Sequence, residues 1–67
     1  MIIYTKNGCP HCDAAKQHFT AEGIQFEEVN ISVHSERIRE IEQLTKSLKV
    51  PVIVDNEQVT VGFNGGS

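Results

Sequence analysis

The sequence predicts a small α/β domain in which a four-stranded mixed sheet is flanked by helices, in the order βαβ-α-ββ. Three observations predict it. A short run of β-formers at the N-terminus leads into a cysteine-proline step that opens a helix. A second helix is marked by an apolar stripe at spacings of three and four. Two closing β stretches are separated by turn residues. At 67 residues the chain is a single domain, residues 1–67, and a domain of this size buries only ~60% of the surface its unfolded chain exposes.

Ile2-Ile3-Tyr4 is the first strand, and Asn7-Gly8 is the turn that ends it. Pro10 suits the first helical position, where its missing N–H would be unpaired anyway. Cys12, Ala15 and Phe19 follow at helical spacing, and Gly23 stops the run. Cys9 is thereby placed at the helix N-cap and Cys12 in the first turn. Ile24-Gln25-Phe26, extended by Val29 and Ile31, predicts a second strand. Ser32 and Ser35 are candidate N-caps for the next helix. Its stripe is Ile38, Ile41, Leu44 and Leu48, with Glu42 and Lys46 as an i,i+4 pair on the wet side. Val50 to Val54 is the third strand, with Pro51 near its start. Asp55-Asn56-Glu57 is a hairpin loop, and Gln58 to Val61 the fourth strand. A βαβ unit calls for a right-handed crossover and a parallel strand pair, whereas a short loop pairs the last two strands antiparallel.

Composition narrows the function. Hydrophobic residues make up 39% and charged residues 22%, which suits a globule rather than a disordered chain. A net charge of -3 without any basic run argues against nucleic acid as a partner. No apolar stretch approaches the ~20 residues that span a bilayer, so no membrane is expected. The N-terminus enters a strand directly and lacks the pattern of a secretory leader, which favours the cytoplasm. Thiols there are kept reduced, and two close cysteines are more often catalytic or metal-binding than structural.

Cys9-Pro10-His11-Cys12 carries the chemistry. Disulfide exchange needs a thiolate to attack and a second thiol to release the mixed disulfide. A helix N-terminus stabilises the thiolate through unpaired N–H groups and the helix dipole. Cys9, nearer the surface by this geometry, is the expected nucleophile and Cys12 the buried resolving thiol. Asp13 opposes the thiolate mildly. His11 and Pro10 tune the site, because a ring N–H near the Cys9 sulfur stabilises the reduced form. A purely structural disulfide is the alternative, but so short a loop removes little unfolded-state entropy. Half of a zinc site is another, and it needs two more ligands. His18 and His34 are far apart in sequence and read as surface side chains.

Tyr4-Thr5-Lys6-Asn7-Gly8-Cys9-Pro10-His11-Cys12, then Val50-Pro51, then Gly62-Phe63 resemble the glutaredoxin family of the thioredoxin fold. The correspondence covers almost the whole chain. The residues alone suggest a trans Pro51 at a strand edge. The resemblance implies instead a cis Val50–Pro51 bond beside the cysteines, leaving the Val50 backbone open to an extended substrate. It further implies that Lys6 holds a carboxylate of glutathione. Glutathione-using members carry a Gly-Gly pair and then an acid after the fourth strand. Here Gly62-Phe63-Asn64 keeps only Gly62, and no acid follows. Gly62-Phe63 looks like NrdH-redoxins, which donate electrons to ribonucleotide reductase and are recharged by thioredoxin reductase. Lys6 and Gly8-Cys9-Pro10 look like ordinary glutaredoxins. Lys6, Val50, Pro51, Gly62 and Phe63 are accordingly the expected substrate-binding residues.

The resemblance implies a dithiol reductase of protein or glutathione mixed disulfides. The Cys9–Cys12 pair is its redox centre, no metal or organic cofactor is expected, and glutathione is a potential co-substrate. The expected partners are glutathione or thioredoxin reductase, together with disulfide-containing proteins. Some family members hold an iron–sulfur cluster between two chains. Those have a small residue after the nucleophile, and Pro10 makes this motif stiffer. Family members close with a further helix on the sheet, for which the stretch to Ser67 leaves no room, so weak self-association through the uncovered face is expected. The potential should lie between those of strongly oxidising and strongly reducing biological dithiols, roughly −120 and −270 mV. His11→Ala is expected to make it more negative, measured by equilibration with a glutathione buffer, and an unchanged value would remove His11 from the tuning.

Overall fold

The computed structural model describes residues 1–45 and 49–63. The elements run β1 (Ile2–Thr5), α1 (Pro10–Ala21), β2 (Glu27–Asn30), a 3₁₀ turn (Ser35–Arg37), α2 (Ile38–Thr45), β3 (Val52–Asp55) and β4 (Gln58–Val61). The order is the expected βαβ-α-ββ. The sheet order is β2-β1-β3-β4. β1 pairs parallel with β2, and antiparallel with β3, which pairs antiparallel with β4. The mixed sheet is that of the thioredoxin-like fold.

Alternation along the strands divides the core in two. Ile3 and its cross-strand partner Ile53 pack with Ala15 of α1, and half-buried Met1, Phe19, Phe26 and Phe63 gather around them. Tyr4, Val29 and Val52 pack on the other face with Ile41 of α2. Cys9, Cys12 and Val50 join this second cluster. Ile3, Ile41 and Val52 are fully buried, and each such side chain is worth about 1.5–3 kcal/mol relative to exposure.

Local chemistry explains where the elements stop. α1 ends in a Schellman motif, in which Gly23 N–H donates to Thr20 O at 3.1 Å and Ile24 N–H to Phe19 O at 2.9 Å. Gly23 sits at φ +73°, which glycine adopts without penalty. This explains the first departure from the expected boundaries. Ile24 closes the helix cap and stays 40% exposed, so β2 begins only at Glu27. The second departure concerns the caps. His34 precedes the 3₁₀ turn and makes no side-chain cap, while Ser35 lies inside the turn. The Ser32 hydroxyl instead accepts the N–H of Asn7.

The stripe on α2 is also narrower than expected. Ile41 is fully buried, but Leu44 is 42% exposed, and Leu48 and Lys46, with the Glu42–Lys46 pair, lie outside the described residues. β3 begins at Val52 rather than Val50, since Pro51 has no N–H for the ladder. Asp55 pairs with Gln58, which shrinks the hairpin loop to Asn56-Glu57, and Asn56 takes φ +57°. No helix among the described residues is long and apolar enough to cross a membrane.

A polar clip joins β1, β2 and α1. The buried Thr5 hydroxyl donates to Glu28 Oε2 at 2.8 Å, and Lys16 Nζ donates to the same oxygen at 2.9 Å. Lys16 holds the Glu28 carboxyl below its ordinary range, against a smaller upward push from burial. Glu28 raises Lys16 in turn. The depressed carboxyl stabilises the fold above its unfolded value near 4.5, and that stability is lost as pH falls through the lower folded value. Glu28→Gln keeps the Thr5 acceptor and removes only the charge. It is expected to cost roughly 0.5 kcal/mol at neutral pH, as exposed pairs do. In urea unfolding the difference from wild type should shrink as pH falls below roughly 4; a gap constant with pH would remove the ionic contribution.

Candidate redox site

β1 ends at Thr5, and the chain turns through Lys6-Asn7-Gly8 into α1. Gly8 adopts φ +70°, a conformation that costs a side-chain-bearing residue but not glycine. Cys9 then takes the extended conformation of an N-cap, φ −107° and ψ 101°. Its carbonyl accepts from Asp13 N–H at 3.1 Å. Its sulfur accepts from Cys12 N–H at 3.2 Å, the position filled in ordinary caps by a Ser, Thr or Asp oxygen. Pro10 occupies the first helical position as the sequence predicts.

Cys9 and Cys12 form a disulfide, with their Cα atoms 5.2 Å apart. The three-residue step along the first helical turn brings the sulfurs together without moving the backbone. Once the bridge is reduced, the N–H of Cys12 and the helix dipole face the Cys9 sulfur and favour its anionic form.

A second wall comes from the far end of the chain. The Val50–Pro51 peptide bond is cis, and the Val50 carbonyl oxygen lies 4.0 Å from Cys9 Sγ. Gly62 N–H donates to Pro51 O at 2.7 Å, which fixes the exit of β4 to this wall. Cys9, Cys12, Val50, Pro51 and Gly62 are thus brought together by α1, the approach to β3 and the end of β4.

The remaining sequence-predicted residues lie differently. Cys9 is 4% and Cys12 1% exposed, so accessibility separates the two sulfurs only slightly. Their difference lies in hydrogen bonding, since Cys9 caps the helix and Cys12 lies inside it. Pro10 is exposed, and His11 is half-buried without a side-chain hydrogen bond to a described residue. Lys6 is exposed on the loop. Phe63 packs on the α1 face, its ring centroid 5.5 Å from that of His18 and 6.2 Å from that of Phe19. Asp13 forms an ion pair with Lys16 at 3.5 Å, and His34 Nδ1 lies 3.5 Å from Glu36 Oε1. Among the described residues no three His, Cys, Asp or Glu side chains converge as metal ligands would.

Two polar arrangements beside the site join local pairs to partners distant in sequence. Asn7, Asn30 and Ser32 join the loop before Cys9 to the loop after β2. On the other face, Tyr4 hydroxyl donates to Glu40 Oε1 at 2.6 Å, and Arg37 Nη2 donates to the same oxygen at 3.0 Å. Arg37 Nε donates to Glu40 Oε2 as well. Burial first, and then the Glu40 carboxylate, push the Tyr4 phenol above its ordinary value. Arg37 first, and then Tyr4, hold Glu40 low. These contacts lie between positions 36 and three residues apart, and only folding reveals the longer one.

The model of the glutaredoxin family matches residues 1–59. A Clostridium pasteurianum protein described as an uncharacterized glutaredoxin-like 8.6 kDa protein in a rubredoxin operon is 34% identical over 62 residues, covering 92% of this chain and 83% of its own. The Gene 56 protein of Mycobacterium phage L5 is 32% identical over 64 residues, 94% of this chain; the match spans only 62% of the phage protein. N-acetyl-S-hydroxy-L-cysteine reductase of Bacillus subtilis is 28% identical over 54 residues, 79% of this chain and 57% of its own. Among solved structures, a glutaredoxin from Archaeoglobus fulgidus superposes with a TM-score of 0.84 at 26% identity, covering 94% of this chain and 74% of that one.

Tyr4 is the only tyrosine and the chain has no tryptophan, so its ionisation can be followed directly by ultraviolet absorbance. Its midpoint is expected above 10, with Glu40→Ala lowering it because Arg37 then acts unopposed. A raised phenol stabilises the fold below its unfolded value, and that contribution is lost as pH rises through the folded one. A midpoint unmoved by Glu40→Ala would show that burial alone sets it.

Proposed function

This chain belongs to the glutaredoxin family, and we propose that it is a dithiol oxidoreductase that reduces protein or glutathione mixed disulfides through Cys9 and Cys12. The observation that carries the reading is Cys9 at the N-cap of α1, its sulfur on the Cys12 N–H. In the reduced protein the Cys9 thiolate attacks a substrate disulfide. It forms a mixed disulfide with one half and releases the other as a thiolate. Cys12, three residues on, attacks the Cys9 sulfur and displaces the second half. Two protons end on the released thiols, and the protein is left as the Cys9–Cys12 disulfide seen here. Two electrons from a thiol donor complete the cycle.

The Bacillus subtilis relative is named as a reductase of an S-hydroxy cysteine derivative, which supports work in the reductive direction. Val50, Pro51 and Gly62 frame the sulfurs; Val50 and Pro51 are buried, and half-buried Gly62 is the part of this wall open to a substrate chain. Lys6, exposed at the loop, supplies a cation for a glutathione carboxylate. A second reading rests on Gly62-Phe63 without a following acid, which favours a redoxin recharged by thioredoxin reductase and serving ribonucleotide reductase. In either case the chemistry runs on the cysteine pair without a metal or organic cofactor, and a small cytoplasmic reductant fits both.

The deciding experiment follows NADPH consumption with an oxidised disulfide substrate, supplying either glutathione with glutathione reductase or thioredoxin reductase alone. Turnover only with glutathione is the expected result for the first reading, and turnover only with thioredoxin reductase for the second. Cys9→Ser is expected to abolish turnover in the productive system. Cys12→Ser should instead accumulate a mixed disulfide at Cys9, detected by mass spectrometry. Trapping by Cys9→Ser and not by Cys12→Ser would reverse the roles.

A further inference from the structure

The loop that delivers Cys9 to the start of α1 is held by side chains outside the cysteine motif. Asn7 backbone N–H donates to Ser32 Oγ at 3.0 Å. Asn30 Nδ2 donates to Asn7 Oδ1 at 3.0 Å. Ser32 backbone N–H donates to Asn30 Oδ1 at 2.9 Å, which closes the ring. Asn30 therefore uses both ends of its amide, and Ser32 both its hydroxyl and its backbone. Just inside the ring, Ile31 N–H donates to Thr5 O at 2.8 Å and carries the β1–β2 pairing to the edge of the loop.

Apolar burial does not hold this loop. Lys6, Asn7 and Gly8 are all exposed, as is Ser32. Only Gly8 separates Asn7 from Cys9, at φ +70°, and glycine is the residue with the widest backbone freedom. Gly8 therefore does not itself fix the direction in which the chain enters Cys9, and that direction depends on what holds Asn7. The hydrogen bond between Cys9 Sγ and the Cys12 N–H is sensitive to it, because such a bond weakens steeply as its angle opens.

We infer that Asn7, Asn30 and Ser32 form a positioning clamp for the redox site, fixing the approach to Cys9 so that its sulfur stays on the Cys12 N–H. The clamp residues do not touch the sulfurs; they act through the loop. The inference rests on the reading above, in which Cys9 is the attacking thiol. Neutral hydrogen bonds of this kind contribute modestly, so the effect is a several-fold change in acidity rather than an on–off switch.

The test uses the fully reduced chain. It measures the iodoacetamide alkylation rate at each cysteine by mass spectrometry as a function of pH, beside the thermal unfolding midpoint. The midpoint of the pH profile reports thiolate formation, while its plateau reports access to the sulfur. Ser32→Ala and Asn30→Ala, read independently, are each expected to raise the Cys9 midpoint by roughly half a pH unit, about a threefold loss of acidity. Ser32→Thr keeps the hydroxyl and is expected to return the midpoint to that of wild type. A lowered unfolding temperature with an unmoved midpoint would make the ring merely structural and overturn the clamp. So would a threonine variant that behaves like alanine. Alkylation of wild type at Cys12 before Cys9 would instead overturn the assignment of the nucleophile on which the clamp depends.

Discussion

Cys9 has two duties that depend on one hydrogen bond. As the N-cap of α1 it must satisfy an amide that the helix leaves unpaired, and as the proposed attacking sulfur it needs a partner that favours negative charge. The Cys12 N–H serves both, at 3.2 Å from the sulfur. A Ser or Asp here would cap the helix as well or better, but would remove the redox chemistry. The helix start and the reactive centre are therefore one structure. Pro10 at the first helical position and Gly8 before the cap follow from the need to bring the chain to that point in a fixed direction.

The rest of the domain supports that placement from both faces of a single sheet. Ile3 and Ile53 seat α1, so the helix that carries the cysteines is held to the sheet through Ala15, with Phe19 packed alongside. Tyr4, Val52 and Ile41 fill the opposite face, in the same buried cluster as the cysteines. Each face also carries a polar clip. Thr5, Glu28 and Lys16 act on the α1 side, and Tyr4, Glu40 and Arg37 on the α2 side. In a chain of 67 residues the apolar core alone is marginal. Partly exposed charges add little singly, but here they tie together elements distant in sequence.

Much of this was legible beforehand because it depends on local chemistry. The cap at Cys9, Pro10 inside the helix, the stop at Gly23 and the alternating strands each follow from one or two residues. The cis bond at Val50–Pro51 was legible only through family resemblance, since the residues alone favoured a trans bond at an edge. The errors have physical causes. Ile24 looks like a strand residue by composition but is recruited to close a helix. Leu44 continues a stripe by spacing, yet the face turns outward after Ile41. Ser32 has the chemistry of a cap and spends its hydroxyl on Asn7, across 25 positions. Such polar partnerships arise from the fold and leave no periodic trace.

The two walls of the redox centre differ in how far apart they lie along the chain. The cysteines are three positions apart, close enough for the bridge to close in an isolated helical turn. The Val50 carbonyl reaches them from 41 positions away, and only after β3 has found β1, where Tyr4 pairs with Val52. Closing so long a loop costs more entropy than forming one turn of helix. The redox pair is thus assembled locally and its shelter globally. Were β3 to part from β1, the sulfurs would lose the Val50 wall while the bridge, which spans only three positions, stayed closed.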